Sequence, residues 1–253
     1  MEAMVAPAPR QHKGTNTRPP REERLFGVPL PLWIAFFAFA DLMLAFPELD
    51  LAVSAWFFDP QAGFVAERRW WERLLYHSID VVLIGLVLAL VAAWWRGRAR
   101  VKQGLGRQGP SGRQLVLLIA LLVLVPGLVV NQGLKENLGR ARPISLTEFG
   151  GTSAFTPAFL PSDEGGGSFS SGHAAAAFFV VVVAVELASA RSLWFVLALA
   201  YALAIGWIRI ASGGHFLSDV MTSAFLVWMG YLSLLALWPA GTATPGDRSL
   251  DQS

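Results

Sequence analysis

No cysteine occurs anywhere in this chain of 253 residues, which excludes a disulfide framework, a thiolate metal site and a cysteine nucleophile together. Charge is also scarce. Asp, Glu, Lys and Arg make up 15% of residues, against about a quarter in ordinary soluble domains, too few to cover a water-facing surface. Histidine is limited to four residues, so imidazole chemistry must draw on His12, His77, His173 or His215. RNA- and DNA-binding motifs are missing, and a net charge of +2 gives nucleic-acid binding no support.

Apolar residues fill the space that charge leaves. They account for 54% of the chain, with ten Trp and 17 Phe, and the mean hydropathy is +0.49. Six segments approach the roughly 20 residues that a bilayer crossing needs: Leu30 to Phe46, Ile79 to Trp95, Leu115 to Val130, Ala174 to Ser189, Leu193 to Ile208 and Phe216 to Trp238. An all-α integral membrane bundle of six helices follows. Residues 1–28 form a basic arm, 29–239 the membrane domain and 240–253 a polar tail. The first apolar run follows a basic, proline-containing stretch and lacks a small-residue cleavage site, so it reads as an uncleaved span.

Positive charge sets the orientation. Arg96, Arg98, Arg100, Lys102, Arg107 and Arg113 lie between the second and third spans with no acidic residue among them, and Arg10, Lys13, Arg18, Arg21 and Arg24 lie in the arm. Both regions are expected in the cytoplasm. The termini then share that side, and the connections 131–173 and 208–219 fall outside the inner membrane. The Trp residues near span ends read as an interfacial belt. In the long loop, the two ends read as site, the middle as a lid, and Phe149, Phe155 and Phe159 as bilayer anchors.

Three short stretches carry the chemistry: KENLGRARP from Lys135 to Pro143, SSGH from Ser170 to His173, and RIASGGHFLSD from Arg209 to Asp219. Hydrolysis of a phosphate ester needs fixed positive donors and an aligned attacking group. Lys135, Arg142 and Arg209 supply cations, with Arg suited to bidentate contact. Ser171 and the amides near Gly172 add neutral donors if the fourth span begins there. His215 and Asp219 stand four apart, on one face of a helix that starts near Gly214. The carboxylate then holds one imidazole nitrogen and frees the other for attack. His173, at the end of a turn before an apolar span, is the expected acid and base. Arg140 reads either as a second phosphate contact or, slightly preferred, as a solvated loop charge; Asp80 reads as a helix N-cap, Glu186 as interfacial, and Pro126 as a kink. Asp41 falls inside the first span, where a carboxylate reads either as functional or as one held by a hydrogen bond between helices.

The order and spacing of these stretches resemble the type 2 phosphatidic acid phosphatase (PAP2) superfamily, whose signature is K-x6-R-P, then P-S-G-H, then S-R-x5-H-x3-D. The resemblance implies a PAP2/chloroperoxidase-like helical fold and no cofactor or metal. It implies His215 as a nucleophile that becomes phosphohistidine, Asp219 as its orienting group, and His173 as the acid. Lys135, Arg142, Arg209, Ser171 and Gly172 then bind phosphate. Ser170 and Ile208 depart from the family's proline and serine. The expected activity is removal of a terminal phosphate from a membrane lipid. Lipid A, phosphatidylglycerophosphate, phosphatidate and undecaprenyl diphosphate are the candidates, with a lean toward lipid A from the GRARP and EFGG stretches between Gly139 and Gly151. A phosphotransferase using the same intermediate, and a transporter or lipid-binding protein, are the alternatives; the sequence names no protein partner.

Overall fold

The structure, a computed structural model, describes residues 23–106 and 108–238, so the arm before residue 23, the tail expected at 240–253, His12 and Arg107 lie outside the described residues. Eight α-helices are present in this region. A two-stranded hairpin, β1 (Arg24–Leu25) with β2 (Val28–Pro29), leads into α1 (Leu30–Ala45). After a bend of 82° comes α2 (Glu48–Ala55), followed by a second hairpin, β3 (Phe58–Asp59) with β4 (Gly63–Phe64). The long α3 (Trp70–Lys102) returns through the bundle. Then α4 (Gly112–Leu122) runs without a break into a π-helical stretch, Val123–Leu134, and the single turn α5 (Lys135–Leu138). Two 3₁₀ turns within residues 143–149 open an irregular loop before α6 (Gly172–Ala188), α7 (Leu193–Ala211) and α8 (Leu217–Leu237).

Local signals place the helix ends. Ser111 and Gln114 form a reciprocal capping box at α4, with bonds of 3.1 and 2.9 Å. Ser192 caps α7 by accepting from the Phe195 amide at 3.2 Å. The π-helical register coincides with Pro126, which has no N–H to give the α-helical ladder, and the Pro126 carbonyl accepts from Asn131 Nδ2 at 2.8 Å. The expected kink is therefore a widened helix that reorients the chain just before Lys135.

Every one of the six apolar segments is helical, and the protein is a multi-pass membrane protein. Four helices, Trp70–Lys102, Gly112–Ser145, Leu193–Ala211 and Leu217–Leu237, are long and apolar enough to cross a membrane. The bent pair α1 and α2 makes up to five, and α6, at 17 residues, is shorter than the usual length. The second span begins earlier than hydropathy indicates: α3 opens at Trp70, so Asp80 lies well inside the helix and is not its cap. Polar first turns outside the hydrocarbon hide the true start from a hydropathy reading. Asp41 likewise departs from one of its two readings, being exposed on α1 instead of bonded between helices.

Among the described residues, α6 is central, packed on α7, α8, the π-helical stretch, α3 and α4. Because lipid tails are as apolar as the helices, close packing must hold the bundle together. Four consecutive alanines, Ala174 to Ala177, are buried and let neighbours approach. The larger core gathers Leu117, Leu118, Leu121, Phe179 and Val182. Across the bundle, Tyr231 donates to Glu186 Oε2, which gives that interfacial carboxylate a partner.

The loop before α6 is packed down. Phe149 is buried with Phe58 and Phe64, at ring distances of 5.2 and 5.3 Å. Phe155 lies on Phe216, and Phe159 meets Phe36, Phe39 and Phe169. These three side chains face protein, correcting the expectation of bilayer anchors. The reason is the partner surface that the hairpin and α1 supply, which no local pattern in the loop reveals.

Candidate functional site

His215 sits in the short turn between α7 and α8, 2% exposed. The turn is held by backbone N–H bonds from Gly214 and His215 to the Arg209 carbonyl, each 3.0 Å. Its Nδ1 lies 2.7 Å from the Ser168 carbonyl oxygen. A carbonyl only accepts, so Nδ1 carries the proton and Nε2 keeps its lone pair. Asp219 Oδ2 is farther, at 3.5 Å. The expected orienting contact is thus shared: the Ser168 carbonyl makes the short bond, and Asp219 supports from behind. Burial pulls the His215 imidazole down to about 4 against the opposing influence of Asp219, with Arg209 adding to the depression.

Asp219, fully buried in the first turn of α8, accepts from Ser168 Oγ at 2.6 Å and from the Phe216 amide at 2.8 Å. Its other oxygen pairs with Arg140 at 2.7 Å. Arg140 is 1% exposed, which overturns the reading of it as a solvated loop charge. Its guanidinium donates to Asp50 at 2.8 Å, to Ser218 Oγ at 2.9 Å and to the Thr156 carbonyl at 2.9 Å, and lies 4.1 Å from the Phe216 ring centroid. Asp50 also accepts from the Ser218 amide at 2.9 Å and from its hydroxyl. One buried cation between two carboxylates therefore ties α2, the loop after α5 and the start of α8 together. The structural reason is charge neutralisation: four of its five N–H donors are spent on protein groups, two of them on carboxylates.

Arg209, in the last turn of α7, is 6% exposed, and its Nε has no hydrogen-bond partner. Its NH1 is 3.8 Å from Glu72 Oε1, and its guanidinium carbon is 4.9 Å from the Tyr76 ring centroid. Gly214 lies flat against this guanidinium, where a Cβ would collide with it. Arg142 and Arg209 line one basin together with Glu67, Glu72, Arg73 and Gly214. Lys135, half-buried, rests its stem on Gly167, where an added Cβ would come within 3.0 Å.

His173 is the second residue of α6 and stacks on Tyr76 at 4.2 Å between ring centroids. Lys135 and His173 share a groove of about 550 Å³. Ser171 is buried, and its hydroxyl accepts from the Ala174 amide at 3.4 Å as the N-cap of α6. Helix α6 does begin at Gly172, and a side chain there would strike Asn131 Oδ1. Ser170 Oγ is buried with no partner, so the position that departs from the family motif holds a spare hydroxyl. His77 is exposed and edges onto Tyr76.

The structure therefore gathers Lys135, Arg142, His173, Arg209, His215 and Asp219 at one end of the bundle. It assigns Arg140 to the frame and adds Asp50, Glu72, Tyr76, Ser168 and Ser218, none of which sequence reasoning selected. Glu72 and Tyr76 stand four apart on α3, a spacing visible in the sequence, but their meeting with α6 and α7 is not.

The model of the PAP2 superfamily matches residues 114–242. The chain is 28% identical over 227 residues to the lipid A 4'-phosphatase of Francisella tularensis subsp. novicida (strain U112), covering 84% of this chain and 96% of that protein. It is 30% identical over 233 residues to the lipid A 4'-phosphatase of Rhizobium leguminosarum, covering 83% and 91% respectively. A crystal structure of a PAP2 type phosphatidylglycerolphosphate phosphatase from Bacillus subtilis superposes with a TM-score of 0.53 at 19% identity, over 82% of this chain and 94% of that one, a likeness of fold.

Proposed function

Because the chain belongs to the PAP2 superfamily, we propose that it is a membrane lipid phosphatase acting on the phosphate monoester of a glycolipid of the lipid A type. The observation that carries this is the buried His215, whose Nδ1 is committed at 2.7 Å to the Ser168 carbonyl and whose Nε2 is left as a nucleophile within the field of Arg209 and Arg142. Near-full-length similarity to two proteins named lipid A 4'-phosphatase supports the choice of lipid.

In this reading, Arg142, Arg209 and Lys135 take the phosphate oxygens, with the unpaired Arg209 Nε as one donor. Nε2 of His215 attacks phosphorus while the bond to the lipid oxygen breaks. Burial, with Arg209, pulls His173 down to about 3, so it takes its proton from the monoanionic phosphate monoester and passes it to the departing alkoxide. Phosphohistidine then forms at Nε2. A water deprotonated by His173 attacks that phosphorus, inorganic phosphate leaves, and both imidazoles return to their starting state.

Tyr76, which contacts His173, and Arg96 stand about 30 Å apart along α3, since each helical residue rises about 1.5 Å. Site and basic end therefore occupy opposite surfaces. We place the basic end in the cytoplasm, the site on the outer face of the inner membrane, and both termini inside after six crossings.

The test is phosphate release by detergent-purified protein from lipid A, phosphatidylglycerophosphate, phosphatidate and undecaprenyl diphosphate, wild type beside His215→Ala. Acid-labile, base-stable label on wild-type protein after brief exposure to phosphate-labelled lipid, missing from the variant, supports the intermediate. Release that survives His215→Ala rejects the mechanism.

A further inference from the structure

The groove shared by Lys135 and His173 opens between α3, the π-helical stretch and α6. Deep in it the walls are apolar, formed by Leu83, Leu122 and Leu128, as acyl chains require. Near the site the wall changes character. Asp80, Asn131 and Gln132 line it there, all three exposed to the groove or its mouth. Asp80 makes no hydrogen bond or ion pair with the described residues. Asn131 spends its Nδ2 on the Pro126 carbonyl, which leaves its Oδ1 as an acceptor beside Gly172.

Depth locates this collar. Asp80 is four residues along α3 from Tyr76, which stacks on His173, so it lies one helical turn, about 6 Å, below the reacting groups. It is also about 24 Å along the helix from Arg96, at a rise of about 1.5 Å per residue, and so about 6 Å inside an apolar layer roughly 30 Å thick. A carboxylate at that depth is costly without a partner. A lipid held with its phosphate at His215 would place its linking atoms, between phosphate and acyl chains, at this level.

An ionised carboxylate and an amide oxygen accept hydrogen bonds, so the groups that suit them are donors. The linking region of a glycerophospholipid such as phosphatidate carries ester oxygens alone, which are acceptors and would leave Asp80 unpaired. A phosphorylated, acylated amino sugar carries hydroxyl O–H and amide N–H donors at the same level. We propose that Asp80, with Asn131 Oδ1, forms a subsite for donor groups adjoining the phosphate, and that this subsite selects glycolipid phosphates over diacylglycerol phosphates such as phosphatidate, which carry no donor there. The assignment rests on the phosphatase reading and specifies the substrate class that the same site takes.

Discrimination against an analogue that lacks the donor follows because a bound lipid strips water from the exposed acceptor and then leaves it unpaired. The experiment is competition in one mixed micelle containing lipid A and dioleoyl phosphatidate, comparing wild type, Asp80→Asn and Asp80→Leu. The readout is the ratio of kcat/KM for the two lipids, in which the active fraction of each preparation cancels, so partial misfolding does not mimic the result. In Asp80→Leu the ratio of lipid A to phosphatidate should fall about tenfold or more. Asp80→Asn, which retains an acceptor oxygen, should fall less. An unchanged ratio in Asp80→Leu overturns the subsite even if both rates drop. If wild type releases phosphate from no lipid, the phosphatase reading falls and the subsite with it.

Discussion

Arg140 and Asp219 form an ion pair of 2.7 Å in which neither side chain exceeds 1% exposure. Removal of one partner from such a pair leaves the other charged and dry, at a cost of about 3–5 kcal/mol. Arg140→Met should therefore destabilise the folded protein by that order and reduce kcat together with it. Arg140→Lys should rescue poorly, because a single ammonium cannot serve Asp50, Ser218 and Asp219 from one rigid fork. Thermal unfolding in detergent, read beside kcat, checks both; a Lys variant equal to wild type would contradict the fork.

Gly214→Ala tests the floor under Arg209. The new methyl must displace the guanidinium, since its position coincides with that group. The guanidinium end can swing away, so the fold should survive while phosphate contact is lost. We expect kcat/KM to fall about tenfold or more, the scale of one charge-assisted contact, with the melting temperature almost unchanged. A large loss of stability at intact kcat/KM would reject this account.

His173 should matter less when the leaving group needs no proton. General acid catalysis contributes about 10²–10⁴-fold, so His173→Ala should lose that much on a natural lipid alkoxide. With an aryl phosphate of low leaving-group pKa, a burst of phenol should persist and the second step, attack by water, should become limiting. Absence of a burst places His173 elsewhere in the mechanism.

The pH dependence of stability has a definite sign at His215. Its imidazole titrates near 4 in the folded protein and near 6.5 once unfolded. Above about 6.5 both states are neutral and the full stability is present. As the pH falls from there toward 4, the unfolded state binds the proton first and stability declines, by about 3 kcal/mol at the limit. Melting temperatures at pH 7.5 and 5 should differ more in wild type than in His215→Gln. Equal differences would show that His215 does not control this window.

The cysteine-free chain permits direct mapping of orientation. Cysteine in place of exposed Glu148, on the loop beside the site, should react with an impermeant maleimide added to intact cells or spheroplasts. Cysteine in place of Arg98, near the far end of α3, should react after lysis alone. The reverse pattern would invert the topology proposed above.

Much of this site was written locally. Lys135, Arg142, His173, Arg209 and His215 each belong to a short stretch whose spacing constrains the chemistry, and apolar runs marked all six helical segments. The supporting frame was illegible because its parts lie far apart: Asp50 meets Ser218 across 168 residues, and Ser168 meets His215 across 47. Arg140 illustrates the physical limit. Its neighbours Gly139 and Ala141 suit a solvated loop, and only the carboxylates arriving from α2 and α8 turn it into a buried charge. Hydropathy misplaced the start of α3 because it senses the bilayer and not the helix that continues beyond it.

The distance along the chain between Asp50 and Ser218 also sets a schedule. A ribosome adding about 5–20 residues per second needs on the order of ten seconds to cover the 168 residues that separate them. Asp50 is made early and must wait, its counter-charge arriving with Arg140 and its last donors with α8. The scaffold around His215 is therefore completed by α8, the last of the described helices to emerge, and under the proposed mechanism the newborn chain stays chemically silent until that helix is in place.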